Sequence, residues 1–204
     1  MIAYFGIYIA IIVILLLIRH YGLKEKKYQK KHIPIMIALF GLGLLTIYYT
    51  GVEDWTKYIE DTAYIPLLSI IMGSYLIASY EDIESMKVYD IYHIVPLLFC
   101  IIYMITNTGL PSDFMSYIPL IFCIATFFSR GMADTIMMCI ISIYGMIINQ
   151  PVKILMCFVI GYSLQLLFCL IVCKIKGVKY KEKKFHLPFV PALYSGFALG
   201  MILL

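Results

Sequence analysis

The feature that most restricts this sequence is its repeated return to long apolar stretches, with almost all of the charge confined to the short connections between them. Eight stretches, 2–18, 33–50, 63–80, 91–107, 114–129, 131–148, 151–173 and 187–204, match or approach the length a helix needs to cross a hydrocarbon core of about 30 Å. In such a core a backbone must satisfy its own hydrogen bonds, and runs of this length do so as helices. Only 14% of the residues are charged, against about a quarter in soluble domains, and 63% are hydrophobic. These properties predict an all-α, polytopic membrane protein of about eight transmembrane helices, with residues 1–204 as a single membrane-embedded domain. They leave no room for a separate soluble domain. The net charge of +4 then reads as a topology signal and not as a sign of nucleic-acid binding.

Basic residues set the expected orientation. Arg19, Lys24, Lys26, Lys27, Lys30 and Lys31 follow the first stretch, and Lys174, Lys176, Lys179, Lys181, Lys183 and Lys184 follow the seventh. An even number of helices between these connections puts both on one face, which the positive-inside rule makes cytoplasmic. The same alternation adds Lys87 and Arg130, leaving only Lys57 and Lys153 outside. The expected topology has both termini on the non-cytoplasmic side of a plasma membrane, with two N-terminal helices and a basic loop in 1–62 and six helices in 63–204. Residues 2–18 are expected to stay as a first helix, because the basic cluster follows the run and no small-x-small cleavage pattern does. The six cysteines lie inside apolar runs without a C-x-x-C pair and histidines, so they read as small buried hydrophobes.

Asp134 opens the sixth stretch in Gly131-Met132-Ala133-Asp134, and an acid at the mouth of an apolar helix is a functional-site candidate. Topology puts the connection 80–90 on the same face, so Asp82, at the end of the third helix, is its expected partner at similar depth. Two carboxylates brought close cannot both ionise cheaply; one keeps a proton while the other remains a base. The base activates a water and the acid protonates the carbonyl or the leaving nitrogen, with no metal and no covalent intermediate required. Coupled groups titrate as a pair, so the two roles are not divided between them. The sequence holds no H-E-x-x-H, no G-x-S-x-G and no Walker loop, and His20, His32, His93 and His186 are scattered. On spacing alone the two aspartates also fit ordinary helix-end acids, Asp134 capping its helix, or the relay of a proton-coupled transporter.

Three segments, in order, resemble the motifs of the prepilin peptidase family, the leader peptidases of type IV pilins and archaellins. Asp82-Ile83-Glu84-Ser85-Met86-Lys87-Val88-Tyr89-Asp90 is similar to that family's first aspartate motif, with Tyr89 and Asp90 where the family has Pro-Asn. Gly131-Met132-Ala133-Asp134 resembles its Gly-x-Gly-Asp, with Ala133 at the second glycine. Lys184-Phe185-His186-Leu187-Pro188-Phe189-Val190-Pro191 is similar to the basic, Pro-Phe-x-Pro entry to the last helix. Presenilin and signal peptide peptidase also pair an Asp motif with Gly-x-Gly-Asp and a Pro-Ala-Leu, which stands here as Pro191-Ala192-Leu193, but with more widely separated aspartates.

The resemblance implies an intramembrane aspartic endopeptidase with Asp82 and Asp134 as catalytic carboxylates, supported by Gly131, Ala133, Pro188 and Pro191. In that reading 63–204 is a six-helix peptidase core. The substrate is a prepilin-like membrane protein with a short basic leader before a long apolar helix, cut at the cytoplasmic face. Four acids against Lys87 give the connection 81–90 a charge of −3 on an otherwise basic face, so Glu81, Glu84 and Asp90 are expected to steer that leader. Bifunctional members carry paired cysteines in a larger first cytoplasmic region, associated with N-methylation. The stretch 19–32 is short and has none, so no methyltransferase activity, S-adenosylmethionine site, cofactor or metal is expected, and the expected partners are the substrate and the lipid bilayer. A proton-coupled transporter and an inactive assembly factor for a pilus or secretion machine are the alternative readings.

Overall fold

A computed structural model of the chain describes residues 1–22, 32–57, 64–127, 131–176 and 188–204. Among the described residues there are eight α-helices and no strand: α1 (Ile2–Leu17), α2 (Ile33–Lys57), α3 (Tyr64–Ser85), α4 (Ile91–Tyr103), α5 (Ile118–Thr126), α6 (Met132–Ile147), α7 (Pro151–Lys176) and α8 (Val190–Leu203). Each falls largely within one of the eight apolar stretches. A π-turn, Ile18–Gly22, continues α1, another, Met104–Thr108, continues α4, and a 3-10 turn, Phe114–Tyr117, leads into α5. Four helical stretches, Ile2–Tyr21, Ile33–Val52, Ile91–Thr108 and Pro151–Ile175, are long and apolar enough to cross a membrane. The lysines at 24–31 and 179–184, Arg130 and the basic start of the third motif, 184–187, lie outside the described residues.

The bundle is built around α3, which packs against α1, α2, α4 and α8 and touches α6. Residues 67–82 are buried without a break, and a helix covered on every side needs small positions as much as bulky ones. Gly73 is one of these, since a Cβ there would stand 3.1 Å from the carbonyl oxygen of Tyr8 on α1. Ser69 and Ser79 donate to the carbonyls of Ile65 and Tyr75 at 3.0 and 2.7 Å, so their hydroxyls are satisfied inside the helix itself. The outer helices are different. On α7, Leu166, Leu167, Phe168, Leu170 and Ile171 are exposed, an apolar surface of the kind lipid covers.

Contacts between helices fix their directions. Tyr8 on α1 donates to the carbonyl of Phe40 on α2 at 3.3 Å, and Tyr194 on α8 donates to Leu39 at 3.0 Å. Arg19 after α1 meets Glu81 and Glu84 on α3, while Asp82 meets Val190 at the start of α8; α1 and α3 therefore run the same way and α8 runs against them. Tyr162 on α7 meets Met138 on α6, and the ring of Tyr144 on α6 meets Phe197 on α8 edge-on at 5.9 Å. The C-terminal ends of α3 and α7 thus lie with the N-terminal ends of α6 and α8, at one end of the bundle.

The closest packing joins α7 to α8, where a Cβ on Gly196 would overlap the backbone of Gly161 and one on Gly200 would overlap Cys157. Because Phe189, just before α8, packs on Tyr162, α7 continues about 20 Å past the start of α8 before it ends. The first turn of α8 is recessed below the end of its neighbour.

Candidate active site

Asp82 sits on the last turn of α3 and is only 7% exposed. Its Oδ2 accepts a hydrogen bond from the amide of Val190 at 2.9 Å, and the amide of Phe189 also donates to it. The first amides of a helix have no partner within it and form its positive end, so an acid from α3 caps α8 across 108 residues of sequence. Pro191 occupies the first turn of α8, where a missing N–H costs nothing, and leaves the two amides before it to the carboxylate. Asp82 lies beyond the apolar stretch 63–80. Next to it, Ile83, Pro188 and Pro191 help to line an apolar groove of about 500 Å³ shared with α2 and α7.

The turn that carries Asp82 is held from its other side as well. Arg19, 2% exposed, donates from Nε to Glu81 and from a terminal nitrogen to Glu84 at 2.7 Å, with its guanidinium carbon 5.2 Å from the centre of the Tyr80 ring. Glu81 and Glu84, two of the acids expected to steer a basic leader, thus meet Arg19, one of the basic residues that follow the first apolar stretch. Glu81 is itself 2% exposed, and buried charges of opposite sign must meet one another or stay in water. Asp90, the third acid expected to steer the leader, is exposed. It stands at the N-cap of α4, where its carbonyl accepts the amides of His93 and Ile94, each at 2.9 Å.

α3 stops at once after this cluster. Met86 takes a left-handed conformation, φ 56°, and its amide donates to the carbonyl of Asp82 at 3.0 Å, the usual way for a helix to end even where the residue is not glycine. The turn through Tyr89 and Asp90 then leads into α4, with the Tyr89 and Tyr92 rings edge-on at 6.2 Å.

Asp134 stands in the first turn of its own helix. Gly131 is the extended N-cap of α6, φ −68° and ψ 153°, and Asp134 is the third helical residue and half-buried. Its carboxylate folds back over Gly131, where an added Cβ would stand 3.5 Å from Oδ2, and an acid in a first turn is favoured by the helix dipole. Gly131 therefore has a conformation open to any residue. Ala133 lies within regular helix, so the alanine at the family's second glycine position costs α6 nothing and favours it slightly.

The structure brings the ends of α3 and α6 that carry Asp82 and Asp134 to the same end of the bundle. Phe189, beside the amide that binds Asp82, packs its ring on Tyr162 at 5.2 Å, and the Tyr162 hydroxyl meets Met138 Sδ at 3.6 Å, one helical turn beyond Asp134. Two participants escape sequence reasoning. The amide of Val190 has no side-chain signature, and Arg19 reads as one more member of a basic cluster. Its only distinguishing sign is that it directly follows Ile18, ahead of the lysines. Compared with protein-family models, curated proteins and solved structures, the chain matches none.

Proposed function

We propose that the protein is an intramembrane aspartic endopeptidase that removes the short basic leader from type IV prepilin-like membrane proteins, without N-methyltransferase activity. The observation that carries this reading is the buried carboxylate of Asp82 at the recessed start of α8, at the same end of the bundle as Asp134 on the first turn of α6. The three motifs, in family order, add the reaction class. One carboxyl holds a proton and the other is ionised. The ionised carboxylate takes a proton from water as the water oxygen attacks the scissile carbonyl, and the protonated one donates to the carbonyl oxygen. Collapse of the diol returns that proton, and the proton taken from water passes to the leaving nitrogen as the C–N bond breaks.

In the same reading all eight helices cross a plasma membrane with both termini outside, and the aspartate end is cytoplasmic. α8, with 14 residues, covers only about 21 Å, so it starts below the membrane surface, where the boundary between a basic leader and an apolar helix would arrive. The apolar groove between α2, α7 and α8 offers that helix a flank next to Asp82.

The test is co-expression with prepilin-like substrates, following leader removal for wild type, Asp82→Asn and Asp134→Asn. Loss of cleavage in both variants supports the dyad, whereas cleavage that survives either substitution removes it. A wild-type protein that cleaves none of several substrates points instead to an assembly role.

A further inference from the structure

We infer that Arg19 is a positioning residue for Asp82, acting through Glu81 and Glu84; this rests on Asp82 being catalytic. Successive helical residues point about 100° apart, so on the last turn of α3 Glu81 faces the end of α1 while Asp82 faces the start of α8. Glu84 follows Glu81 by three positions and shares its face. The planar fork of one guanidinium closes over both carboxylates and lies against the Tyr80 ring. Helix ends fray, and Asp82 stands three residues from the end of its helix. Here that end is clamped by Arg19 on one side and by the α8 amides on the other.

Two further features point to orientation as the purpose. α1 leaves regular helical geometry at the π-turn Ile18–Gly22, which contains Arg19; widened turns of this kind recur at functional sites because they re-aim a side chain. A buried ion cluster is also a poor source of stability compared with apolar residues of the same volume, while a fork held by two carboxylates fixes a direction well. Glu81, Glu84 and Arg19 thereby set the angle at which the adjacent Asp82 is presented.

The full-length protein in lipid nanodiscs tests this with a water-soluble carbodiimide, with labelling of Asp82 and Asp134 followed by mass spectrometry and leader cleavage measured alongside. Arg19→Gln is expected to speed labelling of Asp82 several-fold but not that of Asp134, and to lower kcat by about tenfold to a hundredfold at unchanged KM, the cost of a misplaced group. The exchange Arg19→Glu with Glu81→Arg is expected to restore both. A folded Arg19→Gln protein with wild-type labelling of Asp82, or with both aspartates loosened alike, overturns the inference. If Arg19→Gln does not fold, Arg19→Lys decides, since it keeps the charge and loses the fork: faster Asp82 labelling supports positioning and unchanged labelling refutes it. Labelling that responds in a protein that cleaves nothing sinks the peptidase reading alone.

Discussion

At the end of α3, Asp82 is enclosed by residues distant in sequence, with the α8 amides on one side and the Arg19 cluster behind it. Asp134, on the first turn of α6, is half-buried and leans over its own N-cap glycine. Both are acids at helix ends, yet one accepts an amide 108 residues away in the chain while the other leans over the start of its own helix. A carboxylate of the first kind is stiff and sensitive to changes far away in the chain.

The comparison can be broken most severely at Glu81. Replacing it with Leu takes a carboxylate away from the buried Arg19, and thermal or chemical unfolding in detergent should show a loss of about 3 kcal/mol, the lower part of the range for a severed buried pair. A loss indistinguishable from zero would mean that water reaches Arg19 and that the clamp is not closed. Next, Asp82→Ala leaves the Val190 amide without its acceptor and should cost about 1 to 3 kcal/mol, measured in the same way. Asp134→Ala should cost only about 0.3 to 1 kcal/mol, the usual worth of an acid in a first turn. Equal losses at the two aspartates would erase the distinction drawn here.

The smallest effect is expected at Gly131→Ala, where the backbone is extended and the added methyl meets Asp134 at ordinary contact distance; stability should stay within about 0.5 kcal/mol of wild type.

Much of the architecture was legible from the chain itself. Asp134 stands on the first turn of α6, as its place at the head of an apolar run implied, and the eight helices fall largely within the eight apolar stretches. The lengths were less legible: α5 covers only Ile118–Thr126 of the stretch 114–129, and α8 begins at Val190 rather than at 187. Apolar composition marks where a helix can lie but not where its first and last amides find partners. That Glu81 and Glu84 meet Arg19 was not legible, because composition cannot tell an acid that meets water from one that meets an arginine.

What the sequence by itself determined is the helical, lipid-compatible character of the chain, the order of its segments and the two acids at helix ends, because apolar run length and helix-end chemistry are properties of neighbouring residues. Only the tertiary structure decided which groups hold Asp82. Val190 reaches Asp82 across 108 positions and Arg19 reaches the neighbouring Glu81 across 62, and a backbone amide of α8 or the direction of an arginine after α1 becomes a partner only when packing has placed the helices side by side.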